Sequence, residues 1–321
     1  MSRASLSGKK SKSIDNTGFS PNSDAAGRRL INRDGTVSLR KKGIPFYERI
    51  SIYHSLLRMP RLYFILTVFG IYTSLNIIFA TIYFSLGPDS LEGTLLADSL
   101  SERYLQAFFF SSQTLTTVGY GHISPVGFVT NVVASIESFI GIMSFALVTG
   151  MFYARFSRPE AYIRFSDHFL VAPYREGKAL MFRLATTKNN HLTDVEAEVT
   201  AAIHVTEHGK ATTKFYQLAL EFSKINSLGV SWTVVHPLDE NSPFSDFTQQ
   251  DFTAGRLELM ITIRAFDDHF SNTVQQRTSY IQQEMVYGAR FLPMYEQSKD
   301  GKYLHALLDK LNDTETVTWQ H

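Results

Sequence analysis

Residues 114–125 read Thr-Leu-Thr-Thr-Val-Gly-Tyr-Gly-His-Ile-Ser-Pro, and the five in the middle, Thr117-Val118-Gly119-Tyr120-Gly121, decide how the rest of the chain is read. Glycine alternates here with residues that carry side chains. Gly119 and Gly121 have no Cβ and can take backbone conformations that strain other residues. Such a segment can turn its carbonyl oxygens inward while Val118 and Tyr120 point outward and pack on a neighbouring helix. The Thr117 hydroxyl can add one more oxygen at the inner end. The product is a short stack of oxygens, suited to a cation stripped of its water.

Working outward, a stretch long enough to cross a bilayer lies on each side. Leu62 to Leu86 carries no charge, and Asn76 is its most polar residue. At 1.5 Å per residue it spans roughly 37 Å, enough for a hydrocarbon core of ~30 Å. The second stretch runs from Val126 to about Ala154, and its one charge is Glu137. Arg58 and Arg61 precede the first stretch, and Arg155 and Arg158 follow the second. The connector holds Asp89, Glu92, Asp98 and Glu102 against Arg103. The positive-inside rule then predicts an integral plasma (inner) membrane protein with two spans, both termini cytoplasmic and the connector outside. Glu102–Gln113, ahead of the glycine motif, reads as a short apolar helix.

The composition agrees. Of 321 residues, 44% are hydrophobic and 19% charged, against roughly 25% charged in a typical soluble domain. A wholly disordered chain is excluded by that much apolar surface. The absence of cysteine excludes a disulfide scaffold and a thiolate zinc site. A formal net charge of +1 gives no case for a nucleic-acid partner. The ten histidines have no metal-ligand spacing and no nucleophile elbow is visible, so no catalytic site and no cofactor are expected.

Four segments follow. Residues 1–43 are polar and basic and read as a flexible tail. Residues 44–58 read as an amphipathic helix on the inner membrane surface, with Phe46, Ile50, Tyr53 and Leu57 at helical spacing. Residues 59–157, with both stretches and the connector between them, read as one transmembrane domain. Residues 158–321 alternate as strands do. Val195, Ala197, Val199, Ala201, Ile203 and Val205 share one face, and Glu196, Glu198, Thr200 and His204 the other. Further strands are expected at His168–Ala172, Ala179–Ala185, Lys214–Phe222, Val230–His236 and Leu257–Ile263, which argues an all-β sandwich. Helix is expected only at Ser242–Gln250 and near Tyr303–Leu311.

Thr-Val-Gly-Tyr-Gly is also the signature of potassium-channel filters, in which backbone carbonyls replace the water around K⁺. One chain supplies a quarter of each oxygen ring, so the motif implies a homotetramer. IYHSLLRMPR before the first span, QTLTTVGYG, YARFSRP after the second, VVHPLDENSPF and RTSYIQQEMVYGARF extend the likeness. From about residue 40 the chain resembles prokaryotic inward-rectifier potassium channels, the KirBac family. The resemblance implies a membrane α-helical pore domain of two spans plus a pore helix, then an all-β immunoglobulin-like cytoplasmic domain. It implies K⁺ as permeant ion, held at the filter only by Thr117, Val118, Gly119, Tyr120 and Gly121. It further implies a gate where the second spans cross and modulation by anionic membrane lipids.

Residue by residue, Phe145, Thr149 and Tyr153 match the pore-lining face of the second span, with Tyr153 at the inner constriction. Phe145 stands where strongly rectifying members carry an acid, so weak rectification is expected. Arg61, Arg155 and Arg158 match the basic positions that contact lipid. Asp194 matches an acid of the cytoplasmic pore, and Ala265, Phe266 and Asp267 open the Ala265–Asn272 segment, expected as a loop narrowing that pore. Gln113 and Glu137 are expected to brace the filter, Glu137 accepting from Gln113 or from filter-region N–H groups. Two other readings stay open on sequence: a membrane-anchored sensor, and a channel whose β-domain takes a soluble effector. No soluble ligand is identifiable.

Overall fold

The structure is a computed structural model that describes residues 13, 29–38, 43, 45, 51–94, 99–188, 191–207, 210–254 and 256–317. The chain divides into two compact units, Lys42–Arg158 and Met1–Lys41 with Pro159–His321.

The first unit is built of helices. A short helix α1 (Ile52–Arg58) is capped at its start by Ser51, whose hydroxyl accepts from the His54 amide at 3.3 Å. Within the 44–58 stretch where an interfacial helix is expected, helix is found from Ile52, while residue 44 and residues 46–50 lie outside the described residues. After Pro60, α2 (Arg61–Leu86) runs 26 residues without an interior charge and stops at Gly87, whose φ of 101° ends the helix before Pro88. α3 (Leu100–Leu115) starts at Ser99, whose hydroxyl accepts the Glu102 amide at 3.2 Å. It buries Ala107, Phe110, Ser111 and Leu115, one stripe at helical spacing. α4 (Gly127–Phe156) is 30 residues long. At 1.5 Å per residue, α2 and α4 are about 39 and 45 Å long, and both can cross a bilayer. A two-residue antiparallel pair, β1 (Leu91–Glu92) with β2 (Ser124–Pro125), ties the connector at its two ends. Phe79, Ala80, Tyr83, Ala107, Phe110 and Ala134 form the buried centre where α2, α3 and α4 meet. Elsewhere α2 and α4 leave Leu62, Ile65, Phe69, Val129, Phe139 and Leu147 exposed, surface that suits lipid or a protein neighbour and not water.

The second unit is a β-sandwich. One sheet has the order β11-β10-β6-β7 (β7 Lys210–Gln217), with β8 (Lys224–Leu228) also on β6; the other has, in order, β12 (Met285–Tyr287), β4 (Phe169–Tyr174), β5 and β3 (Ile163–Phe165), with β9 (Ser231–Pro237) also on β5. The long strands are β5 (Gly177–Thr186), β6 (Leu192–Glu207), β10 (Arg256–Asp267) and β11 (Asn272–Ile281). Val195, Ala197, Val199, Ala201 and Ile203 of β6 are buried against Phe169, Leu180, Phe182 and Leu184 of the facing sheet, so the alternation read from sequence does set the core face.

Three expectations are corrected. Residues 29–38 lie on the sandwich, so the flexible tail expected over 1–43 does not include them. Leu30 and Ile31 pack on Ala202, Phe215 and Met260, and the Glu258 carboxylate accepts both their amides, at 2.7 and 3.0 Å. Two apolar residues in a polar stretch are too weak a pattern to reveal this; the sheet supplies the partner. Ser242–Gln250 begins as turns because the Ser242 hydroxyl bonds His236 and the Phe244 amide, and helix α5 starts later, Gln249–Ala254. Tyr303–Leu311 is no helix either. β15 (Leu304–Ala306) pairs with β14 (Tyr295–Gln297), and a 3₁₀ turn, Leu308–Asn312, drops Leu311 onto Ala185 and Met294. Tertiary contacts outweigh propensity in so short a stretch.

His236 on β9 (Ser231–Pro237) is 2% exposed, its ring nitrogens 2.6 Å from the Ala219 carbonyl and 2.9 Å from the Ser242 hydroxyl. Burial holds its pKa below the ordinary 6.5, so the unfolded chain takes a proton that the folded domain refuses. Stability is fully present above 6.5, begins to be lost as pH falls below it, and is lost as pH falls through the lower pKa of the folded state. The denaturant midpoint by tryptophan fluorescence should drop between about pH 7.5 and 5.5, and His236→Gln should flatten that slope.

Candidate functional site

The glycine motif follows directly on α3. Thr117, Gly119 and Gly121 have φ of 59°, 52° and 81°, whereas Val118 and Tyr120 do not enter the left-handed region. Alternating hand along a chain gathers its amides on one side and its carbonyls on the other, which an extended strand cannot do. Thr117 holds this conformation despite its Cβ, a strain of order 1–3 kcal/mol that needs support from its surroundings. The support is at the inner end: the amides of Val118 and Gly119 both donate to the Gln113 carbonyl, at 2.9 and 3.3 Å, and that of Thr117 to Thr114 at 3.1 Å. These carbonyls belong to the last turn of α3, where no helical partner exists for them. Val118 and Tyr120 are 53% and 76% exposed, so the helix packing expected for them is not formed within the chain.

Behind the motif, Glu137 of α4 is fully buried. The Tyr83 hydroxyl donates to one of its oxygens at 2.6 Å and the Ser111 hydroxyl to the other at 2.5 Å. Ser111 also lies 3.0 Å from the Asn76 side-chain oxygen, and the Asn76 amide donates to the Tyr72 carbonyl at 2.8 Å. A carboxylate at membrane depth is costly unless it is paired or hydrogen-bonded. Here two neighbouring helices, α2 and α3, bring it partners. The expected partner was Gln113 or the filter amides, and this is corrected: Ser111 and Tyr83 hold the carboxylate. At about 100° per residue, Gln113 lies some 200° around α3 from Ser111 and faces away. What Gln113 supplies is its backbone carbonyl. The sequence carried only a hint of this, since Asn76 and Tyr83 are seven residues apart and share a helix face, while nothing in it pointed to Ser111.

The other expected site residues separate into those left free and those engaged. Phe145, Thr149 and Tyr153 are all exposed along one face of α4, with Phe145 at 76% and Tyr153 at 74%. Arg61 and Arg158 are exposed. Arg155 is not available for lipid in this structure. Its guanidinium donates to the carbonyls of Leu56 at 2.5 Å, Leu57 at 3.1 Å and Met59 at 2.7 Å, and lies 4.5 Å from the Phe64 ring centroid. The orphan carbonyls that end α1 have taken it.

In the β-unit, Asp194 sits at φ 48° beside an irregularity in the pairing of β6 with β10 and is 3.1 Å from Lys224 Nζ. Residues 265–267 are corrected from loop to strand. β10 continues to Asp267, which pairs with Asn272, and only residues 268–271 turn. Ala265 and Asp267 are 2% and 1% exposed, so of the three only Phe266 presents a side chain outward. Asp267 is spent on the turn, accepting the amides of His269 and Phe270 at 2.9 and 3.3 Å.

The Glu137 cluster can be tested on stability. Glu137→Gln keeps an oxygen and an amide for hydroxyls that can rotate, and should cost little. Glu137→Ala leaves the Tyr83 and Ser111 hydroxyls unpaired, at about 1–3 kcal/mol each. A lower melting temperature of the detergent-solubilised protein for the alanine variant, but not for the glutamine one, is the expected result.

Comparisons with known proteins address most of the chain. Residues 71–158 match the family described as ion channel, and residues 163–321 the family described as inward rectifier potassium channel C-terminal domain. The chain is 28% identical over 278 residues to the inward rectifier potassium channel Kirbac3.1 of Paramagnetospirillum magnetotacticum, covering 85% of this chain and 92% of that protein. It is 31% identical over 213 residues to the human ATP-sensitive inward rectifier potassium channel 15, covering 62% of this chain and 56% of that one. To the human ATP-sensitive inward rectifier potassium channel 10 it is 30% identical over 211 residues, covering 62% and 55%. The chain thus spans a little over half the length of these two human relatives. With two apolar helices flanking a short third one, an all-β domain after them and a match to each part in the same order, the chain belongs to the inward rectifier potassium channel family.

Proposed function

We propose that four copies of this chain form a K⁺-selective channel in the plasma (inner) membrane, with residues 117–121 as the selectivity filter. The observation that carries the reading is the alternating backbone hand at Thr117, Gly119 and Gly121, anchored on the Gln113 carbonyl at the end of a short helix. One such segment supplies one side of an oxygen cage and cannot enclose an ion. A fourfold ring does. A homotetramer also gives the exposed Val118, Tyr120 and helix faces something to pack on. The C-terminal end of α3 carries partial negative charge, which favours a cation beside it.

Both termini lie on the cytoplasmic side in this reading, by the arginine asymmetry around the two helices. Phe145, Thr149 and Tyr153 line the path inside the filter, and four Tyr153 rings converging on the axis close it by excluding water. Phe145 offers a blocking cation no negative charge, which gives weak rectification. Asp194 and Phe266 are the outward-facing candidates for the cytoplasmic pore. Arg61 and Arg158 remain free to meet anionic lipid headgroups, each worth ~1 kcal/mol near a charged surface. Arg155 instead ties the inner helix to α1, so headgroups act on a joined pair of elements.

Purified protein in liposomes that contain anionic lipid should carry K⁺ at least a hundredfold faster than Na⁺ and be blocked by Ba²⁺. Equal K⁺ and Na⁺ flux would sink the proposal. Tyr153→Ala should raise basal K⁺ flux several-fold with selectivity unchanged; a closed tetramer with Tyr153 turned toward lipid would contradict the gate.

A further inference from the structure

Helix α4 carries Gly141 and Gly150 in its interior, although glycine weakens a helix. Their surroundings differ. A Cβ on Gly150 would meet nothing within 4 Å. A Cβ on Gly141 would lie 2.0 Å from the carbonyl oxygen of Leu115, 2.9 Å from its carbonyl carbon and 3.1 Å from its Cα. Leu115 is the last residue of α3, and Gln113, which receives the amides of Val118 and Gly119, is in the same turn. Glu137 stands one turn before Gly141 and takes the hydroxyl of Ser111, one turn before Leu115. Residues four apart lie above one another on a helix, so α4 meets α3 at two points spaced one turn apart and in the same order along both helices. The first is a hydrogen bond. The second is a backbone-to-backbone approach that only glycine permits.

We propose that Gly141 is a positioning residue for ion selection: its missing side chain sets how closely α4 approaches the C-terminal end of α3, and through Gln113 the height of the filter backbone. The inference rests on residues 117–121 being the filter. A methyl group at 141 cannot be absorbed by a rotamer change, because the atom in its way is a backbone oxygen. Cβ atoms essentially never approach closer than 3.0 Å, so the Leu115 backbone must move by an ångström or so. The oxygens of a filter select by number and spacing, and a shift of that size at their anchor degrades selection before it unfolds anything. A glycine needed only for backbone flexibility gives a different pattern: alanine there alters opening and leaves selectivity alone.

The parent protein, Gly141→Ala, Gly141→Val and Gly150→Ala are compared in two measurements. One is the K⁺/Na⁺ flux ratio in liposomes. The other, independent of conduction, is the rise in tetramer melting temperature on replacing Na⁺ by K⁺, since an ion bound only by the assembled filter stabilises it. Gly141→Ala should lower the flux ratio at least tenfold and halve the K⁺-dependent rise, and Gly141→Val should exceed it on both. Gly150→Ala should keep both within twofold of the parent. A Gly141→Ala protein with the parent's ratio and the parent's rise overturns the proposal, as does a Gly150→Ala protein that matches Gly141→Ala. Should Gly141→Ala fail to assemble, co-expression with the parent chain gives mixed tetramers. A graded loss of selectivity in them supports the proposal, and parent-like selectivity overturns it. A parent that shows neither K⁺ preference nor K⁺ stabilisation overturns the filter reading, and this inference with it. A selective parent beside unchanged variants overturns the inference alone.

Discussion

The buried carboxylate of Glu137 is the constraint around which the membrane unit is arranged. It sits on α4, takes a hydroxyl from Tyr83 on α2 and another from Ser111 on α3, and so joins α2, α3 and α4 at one point. Apolar packing alone leaves helices in a bilayer free to slide and rotate, because lipid tails satisfy them as well as leucine does. A carboxylate with two directed partners removes that freedom. α3, a short helix of 16 residues in the connector, is thereby held at one depth and one rotation.

What hangs from α3 depends on that position. The strained Thr117 and the two left-handed glycines keep their geometry only because the amides that follow the helix close onto its last carbonyls. Strain of this kind persists where the surroundings over-determine it. At the other end of α4, Arg155 does a related job by satisfying the carbonyls that end α1. The carbonyls that end α1 and α3 are thus taken up by groups from beyond each helix, and the two charges that α4 carries between its ends are used for structure.

The β-unit shows the same economy. Glu258 is buried at 2% exposure, and desolvation pushes its pKa up while the Leu30 and Ile31 amides pull it down. Those amides come from the segment before the first helix, so the residues on either side of the membrane unit in sequence meet on one sheet. Glu284 adds ion pairs to Arg29 and Arg33 of that segment. Gly35, at φ 80°, lies so close to the Arg277 carbonyl that a Cβ would come within 2.7 Å of it. The segment is fitted to the sheet by shape as well as by charge.

Much of this was legible in the sequence. Two uncharged stretches of bilayer length, a glycine-alternating motif between them and a strand of strict period two specify the helices, the loop and the core face of the sandwich, because each is a local pattern with one physical cause. The sequence also marked Glu137 as a residue needing a partner. It could not say which, because that depends on the rotation of α3, and two positions along a helix turn a side chain to nearly the opposite face. For the same reason Arg155 read as a lipid contact, residues 265–267 as a loop and residues 29–38 as tail. A free helix end, a strand partner and an apolar patch on a distant sheet exist only once the chain has folded. The sequence by itself determined the two long helices, the glycine motif and the core face of the sandwich; the tertiary structure decided the short elements, which polar groups neutralise one another and which remain free to act, since pairing is settled by distance in space and not along the chain.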